Sequence, residues 1–339
     1  MNAISPQANR LAVTPKRLWR QAFPWVIVAC ALLLPLVSKT FVTFQVTMLM
    51  IYAIAIIGLN VLTATSGQFS LGQSAFFAVG AYSTGIAMEL LGIPYALAIP
   101  LAGLLSFCIG CLFGLPASRL MGVYLAIATF ALAFATPQLL KIKPLQPWTG
   151  GSVGFSVSRP NAPTWIPVNS DQWLYYVVLA ATLVAYVCAV GLIRSRSGRA
   201  MLALRDNPTA ASSMGIRVAR YRMLSFGVSA LFTGVAGGLG ALVVQFVAPD
   251  TYSFWLSVAI LVGMVVGGVG WLPGAFIGAA FVLYVPNVAE EISKGLSGAV
   301  YGAILVGLVF VLPRGVKGLL DLVEKRRSGG MSDVGSSTR

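Results

Sequence analysis

Apolar residues dominate this chain in long blocks, and polar residues are confined to short stretches between the blocks. A helix needs about 20 mostly apolar residues to cross the hydrocarbon core of a bilayer. Ten blocks approach that length, which predicts an all-α, polytopic transmembrane helical bundle of about ten spans, within limits of about 8 and 11. The predicted spans are 22–38, 43–64, 70–91, 94–116, 121–140, 173–193, 223–246, 255–269, 272–289 and 298–313.

Glycine interrupts and patterns these blocks. Residues 65–80 and 263–275 are too rich in Gly, Ser and Pro for ordinary spans, so 65–80 is predicted as either a span or a re-entrant segment. The stretch Gly267–Gly274 is predicted to be a tight turn between two spans, with a hinge as the alternative. Paired small residues let helix backbones approach closely in lipid, within a compact bundle or against a homologous partner. GxxxG pairs occur at 110/114, 234/238, 263/267, 274/278 and 298/302.

The stretch between spans at residues 194–222 is strongly basic. It carries seven arginines and one acid, Asp206. Because loops rich in Lys and Arg stay on the cytoplasmic side, this stretch is predicted to be cytoplasmic. Its own pattern is helical, with a restart after Asn207. Two interpretations stay open: a helical element that docks on a partner, and a solvated loop that only sets the topology.

The remaining charges agree with one orientation. With the amino terminus inside, Arg119 and the basic residues after Pro313 also fall inside, and residues 141–172 fall outside. This outer loop is rich in Pro, which prevents a long helix. A rigid external loop is the favoured interpretation, and a contact surface for an external partner is the alternative.

The amino-terminal segment has basic residues followed by an apolar run, as signal peptides do. No small-x-small cleavage site follows the run, so the segment is predicted to be an uncleaved first span. The predicted organisation is a cytoplasmic segment 1–21, a transmembrane domain 22–320 and a cytoplasmic tail 321–339. The tail is rich in Ser and Gly, which predicts disorder.

Composition excludes several classes of protein. The 339 residues are 58% hydrophobic and 9% charged, with a mean hydropathy of +0.86. Soluble domains carry roughly 25% charged residues, so a membrane protein surrounded by lipid is predicted. The net charge of +14 is divided among membrane-flanking loops. A nucleic-acid partner would need these charges on one folded face, and is not expected.

Residues that could drive transport are missing from the sequence. There is no histidine and no Gly-Lys pair, so neither a P-loop nor any catalytic or metal-binding residue is predicted. Among the nine acids, only Glu89 lies within an apolar segment, near its outer end. Carriers coupled to ion gradients place ionisable residues in mid-membrane. If the chain transports actively, it is therefore expected to take its energy from another subunit.

The polar stretch at residues 63–75 is unusual within a membrane domain. Polar or irregular backbone at membrane depth is tolerated only when it is buried in protein or faces a wet cavity. Gln68, Ser70 and Gln73 are predicted to line a path for a small polar zwitterion. The alternative is a helix–helix contact, but two glutamines are large for spacers in such a contact.

Several short motifs, in order, resemble the branched-chain amino acid ABC-transporter permease family, most closely the second, longer permease of the pair. The resemblance covers residues 44 to 320. One departure is Gln73, where the family commonly has His. The matching runs are GLN at 58–60, SGQFSLG at 66–72, AFFAVGAY at 75–82, GVYLAIAT at 122–129, TGGSVG at 149–154, SGRA at 197–200, RDN at 205–207, AA at 210–211, MGI at 214–216, GGVG at 267–270 and PRG at 313–315.

The resemblance implies a permease of the type II ABC-importer kind, in a bacterial inner membrane, with both termini cytoplasmic. It implies as partners a second homologous permease, two cytoplasmic ATPase subunits and a periplasmic substrate-binding protein. No cofactor is expected on this chain, since the partner subunits use the ATP. Alternative cargoes are urea or short amides, and an ATP-independent small-solute channel is a further alternative. The residues that would couple to the ATPase are Arg199, Arg205, Ala210, Ala211 and Gly215.

Overall fold

Helices make up almost all of the regular structure in the computed structural model. The described residues are 29–120, 122–160, 162, 169–292, 302–304, 307 and 315–318. The helices are α1 (29–37), α2 (Thr40–Ser66), α3 (Gln73–Glu89), α4 (Tyr95–Ala117), α5 (Val123–Leu140), α6 (Gln146–Thr149), α7 (Ser170–Arg194), α8 (Arg196–Asp206), α9 (Pro208–Ser213), α10 (Val218–Val244), α11 (Phe254–Gly267) and α12 (Gly274–Ile292). Two short strands are β1 (Phe155–Ser156) and β2 (Phe246–Val247).

The long helices coincide with the predicted apolar blocks. Within the described residues, five helices have the length and hydropathy to cross a membrane: α2, α4, α5, α7 and α10. The shorter α11 is also apolar. The structure thus confirms a helical bundle with several membrane-spanning helices, while the count of ten remains a prediction. The predicted segments 1–21 and 321–339, and most of the predicted span 298–313, lie outside the described residues.

Helices α2 and α10 form the centre of the bundle. More than 70% of the apolar window of each is buried, against about a third or less for α4, α5 and α7. Helix α10 packs against α2, α3 and α4, and α7 packs against α2. The outer faces of α4 and α5 expose large apolar side chains such as Leu112 and Tyr124. Such faces suit lipid or a second membrane protein.

Glycines bring helix backbones into contact inside this chain. A Cβ atom on Gly80 of α3 would lie 1.9 Å from the carbonyl oxygen of Gly234 in α10. A Cβ on Gly278 of α12 would lie 1.9 Å from the carbonyl oxygen of Gly263 in α11. The first four predicted GxxxG pairs therefore serve the compact bundle. Gly298 of the fifth pair is outside the described residues.

At one end of the bundle the loop that follows α5 is tied to neighbouring segments. Strand β1 pairs antiparallel with β2, which directly follows α10. Lys141 forms an ion pair with Asp250 at 2.6 Å. The carboxylate of Glu89, at the end of α3, accepts a hydrogen bond from the Ser158 amide at 2.6 Å. Glu89 therefore anchors this loop at what we call the β-ladder end, and α8 and α9 lie at the opposite end.

Candidate translocation path and docking helices

The polar stretch forms a break between two helices. Helix α2 ends at Ser66, and Gly67 follows in the left-handed conformation with φ +67°. Glycine adopts this conformation without strain, which is why helices often end there. Helix α3 begins only at Gln73. Residues 67–72, called the polar break below, are not helical. The predicted span at 70–91 thus starts three residues too early.

The polar break runs from the end of α2 into the interior of the bundle. At its far side, the Leu71 amide donates to Thr129 Oγ1 at 3.0 Å, and Gln73 bonds to Ser229. Ser229 lies about 16 Å along α10 from its first residue, given a rise of 1.5 Å per residue. Irregular backbone at this depth needs protein or water to satisfy its polar groups. The break therefore places polar atoms along a line from the α8–α9 end to mid-bundle.

Gln73 is fully buried and connects α3 to α10. Its Nε2 donates to Ser229 Oγ at 3.1 Å, and its Oε1 accepts from Thr233 Oγ1 at 2.6 Å. Its exposed fraction is 0%. In this conformation Gln73 acts as a helix–helix contact, which was the alternative interpretation of the sequence. Its role in the path stays a prediction.

Gln68 and Ser70 occupy the break itself. Gln68 is 5% exposed, and its Oε1 accepts from Ser66 Oγ at 3.1 Å. Among the described residues, its Nε2 has no hydrogen-bond acceptor. Ser70 is buried and accepts from the Gly72 amide at 3.2 Å. Gln68 is thus the predicted path residue with free hydrogen-bonding capacity, and it lines a cavity at the α8–α9 end.

Asn60 holds a turn between two helices in place. The sequence analysis named it only as part of the matching run at 58–60. Its Oδ1 accepts from the Gly270 amide at 2.8 Å, and its Nδ2 lies 3.4 Å from the carbonyl oxygen of Trp271. It holds the turn between α11, which ends at Gly267, and α12, which begins at Gly274. The predicted turn is therefore confirmed. An amide side chain deep within the apolar block of α2 was the available signal for Asn60.

Two short helices occupy the basic stretch. Ser195 Oγ accepts from the Gly198 amide and caps α8, and Asn207 Oδ1 accepts from the Thr209 and Ala210 amides and caps α9. Side-chain caps of this kind favour a helix start at these residues. The helical restart after Asn207 predicted from the sequence is confirmed.

The residues predicted to couple to an ATPase divide between two faces. Ala211 is 5% exposed and faces the permease bundle together with Met201 and Leu204 of α8. The remaining predicted residues are partly or fully exposed: Arg199, Arg205, Ala210 and Gly215. Ala211 therefore holds α9 in place, and the exposed residues are the ones that a partner can reach.

Arg205 links α8 to the end of α2. Its Nη1 donates to the carbonyl oxygen of Ala64 at 2.8 Å. This carbonyl is one of the last four of α2, which have no partner inside the helix. A cation at a helix carboxyl terminus also interacts favourably with the helix dipole. Movement of α8 would therefore act on the last turn of α2, which directly precedes the polar break.

Comparison with known proteins places the chain in a family. The family described as "Branched-chain amino acid transport system / permease component" matches residues 41–311. The chain belongs to this permease family. No solved structure matches the chain.

Similar permeases come from bacteria and archaea. The chain is 31% identical to the high-affinity branched-chain amino acid transport system permease protein LivM of Salmonella typhimurium, over 84% of this chain and 71% of the relative. It is 25% identical to the probable branched-chain amino acid transport permease protein LivH of Methanocaldococcus jannaschii, over 78% and 87% respectively. It is also 30% identical to the autoinducer 2 import system permease protein LsrC of Klebsiella pneumoniae, over 48% of each chain.

Substitution of the two glutamines by leucine is expected to separate their roles. Gln73→Leu removes the partner of the buried Ser229 hydroxyl, while the Thr233 hydroxyl keeps the carbonyl oxygen of Ser229 as its acceptor. We therefore expect a loss of about 1–3 kcal/mol of stability. Gln68→Leu removes an amide whose Nε2 is already unpaired, so the melting temperature of the permease should not fall, while uptake slows. Melting curves and uptake rates of both purified variants check this. Parental uptake by Gln68→Leu would identify Gln68 as a packing residue.

Proposed function

We propose that this permease is a membrane subunit of an ATP-binding-cassette importer for branched-chain or related amino acids. The observation that carries the proposal is the contact of α8 with α2 through Arg205 and Ala64. It connects an exposed helical surface, which a partner can reach, to a polar break inside the bundle. Two of the relatives are permeases of branched-chain amino acid transport systems, which supports the same substrate class.

The proposed importer has four further subunits. A second homologous permease packs beside this one and completes the pore, and the exposed apolar faces of α4 and α5 supply surface for it. Two cytoplasmic ATPase subunits supply the energy, one of them docking on the exposed residues of α8 and α9. The other ATPase subunit docks on the corresponding helix pair of the second permease. A periplasmic binding protein delivers the amino acid at the β-ladder end. The chain itself then needs no ATPase site and acts as a transporter subunit, not as an enzyme.

In this proposal the α8–α9 end faces the cytoplasm. The motive is the concentration of arginines in 194–222, since basic loops remain inside. Residues 141–172 then lie in the periplasm, and both termini are cytoplasmic. The chain is a multi-pass protein of the bacterial inner membrane. The transmembrane helices are those of a type II importer with about ten spans.

Uptake by the reconstituted complex tests the function. The permease is purified with the partner subunits of the proposal, a second permease and two ATPases, and placed in proteoliposomes that contain ATP. Uptake of radiolabelled leucine should require both the ATP and the external binding protein. Omission of either should reduce uptake to the level of empty liposomes. Leucine uptake that persists without ATP would instead support a channel, and uptake of urea in place of leucine would overturn the substrate class.

Orientation is tested by single cysteines at two exposed sites. Val153 at the β-ladder end is 77% exposed, and Met214 at the α8–α9 end is 86% exposed. In a variant without the four native cysteines, Val153→Cys should react with an impermeant maleimide in intact cells. Met214→Cys should react only after the membrane is permeabilised. The two sites are similarly accessible in the fold, so the reverse pattern would overturn the orientation.

A further inference from the structure

A cavity of about 490 Å³ lies beside the polar break at the α8–α9 end of the bundle. Its walls come from the break, the segment between α4 and α5, the end of α8 and the first turns of α9 and α10. The volume falls within the range of roughly 300–1,000 Å³ that is usual for small-molecule sites. The cavity can therefore hold a small solute.

Two buried side chains offer unpaired donors at this cavity. Gln68 is 5% exposed and Arg222 is 8% exposed, and both line it. Arg222 Nη1 donates to the carbonyl oxygen of Ser118 at 3.1 Å. Among the described residues, however, neither Gln68 Nε2 nor Arg222 Nε has an acceptor. A buried donor without a partner is unfavourable, so two in one cavity indicate that a ligand supplies the missing acceptor.

The charge of the lining favours a ligand with a carboxylate group. Arg205 joins Arg222 in the wall, and among the described residues no carboxylate lines the cavity. Gly122 and Val123 also line it, where the 18-residue helix α5 begins without a side-chain cap. The amino terminus of a helix carries a partial positive charge and free amide donors. The arginines and the start of α5 therefore favour negatively charged oxygen atoms. The carboxyl end of α2, where Ser66 and Gly67 line the same cavity, carries the opposite partial charge and suits an ammonium group.

Much of the remaining lining is apolar, with Phe69, Leu120 and Leu204 among its residues. We propose that the cavity binds a small carboxylic acid with an apolar side chain. Gln68 Nε2 and Arg222 Nε donate to the carboxylate, and the apolar wall receives the side chain. Taken with the proposed function, on which this identity rests, the ligand is a branched-chain amino acid at the cytoplasmic end of its path.

The site also adjoins the docking helices. Arg205 belongs to α8 and holds the end of α2 through Ala64. A carboxylate in the cavity would be attracted to the same guanidinium group. Binding of the amino acid would therefore act on α8, the helix proposed to contact the ATPase, as well as on the polar break.

Equilibrium binding to the assembled complex in nanodiscs tests the site. The binding protein is left out, so that its own site does not contribute. Radiolabelled leucine should bind at least tenfold more tightly than leucinamide, which has the same side chain but no carboxylate. Equal binding of the two probes, or binding of inorganic phosphate in preference to leucine, would overturn the proposal. The second result would indicate a site for phosphate or a lipid headgroup.

Variants locate the binding to this cavity. Arg222→Gln and Gln68→Glu should each weaken leucine binding at least tenfold, the second because its own carboxylate occupies the donors. Arg220→Gln is the matched control, since Arg220 is exposed on the same helix, and it should bind leucine as the parent does. If Arg222→Gln does not assemble, the binding of leucine to Gln68→Glu, a substitution that conserves size, tests the site. Parental binding by Gln68→Glu would overturn the site, and absent leucine uptake by the parental complex would instead overturn the proposed function.

Discussion

Replacement of Gly80 by alanine is expected to leave little folded permease. The new Cβ would lie 1.9 Å from the carbonyl oxygen of Gly234. A second contact between the same two helices is equally close, since a Cβ on Gly237 would lie 2.0 Å from the carbonyl oxygen of Phe77. Backbone atoms cannot rotate away as a side chain can, so α3 and α10 must separate. We expect a cost at the upper end of the usual range for overpacking, about 3 kcal/mol.

The matched control is Gly191→Ala in α7. Gly191 is also a helical glycine, but no atom lies within 4 Å of its ideal Cβ position. Alanine there should stabilise the helix slightly, by up to about 1 kcal/mol. Melting temperature and yield of the two detergent-purified variants give the comparison. Equal melting temperatures would show that the α3–α10 contact is looser than the structure indicates.

The arrangement of helices follows closely from the sequence because the bilayer restricts the choices. A long apolar block can satisfy its backbone within lipid only as a helix. The blocks at 43–64 and 223–246 accordingly became α2 and α10, within a few residues. The position of the break was less accurate. The pattern cannot tell a polar residue that begins a helix, such as Gln73, from one that precedes it.

The environment of each candidate site residue could not be predicted from the sequence. Gln68 and Gln73 are equally polar and only five residues apart, yet Gln73 is fully paired between α3 and α10, while Gln68 Nε2 is unpaired at a cavity. The difference depends on Ser229 and Thr233, more than 150 residues away. Which face of a short helix is buried is likewise decided by distant contacts.

The predicted docking helices, α8 and α9, show the same limit. Ala210 and Ala211 are adjacent and chemically identical, so the sequence predicted both as contact residues. In the structure Ala211 is buried against the bundle, and Ala210 is exposed. A charge at Ala211 would therefore disturb the permease itself. The exposed alanine is the position at which a substitution tests docking alone.

Uptake should be abolished in Ala210→Glu, although the variant remains folded. Position 210 is exposed, so the new carboxylate is solvated in the isolated permease. An ATPase subunit that covers this position would bury the carboxylate as an unpaired charge. Such a charge costs about 3–5 kcal/mol, which weakens binding on the order of a hundred- to a thousandfold. We expect the parental melting temperature, little copurified ATPase subunit and no ATP-dependent uptake.

Val153→Glu, a charge on the equally exposed opposite end, is the control and should copurify the ATPase normally. An Ala210→Glu variant that copurifies the ATPase as the parent does would show that α9 is a solvated loop element and not the docking surface.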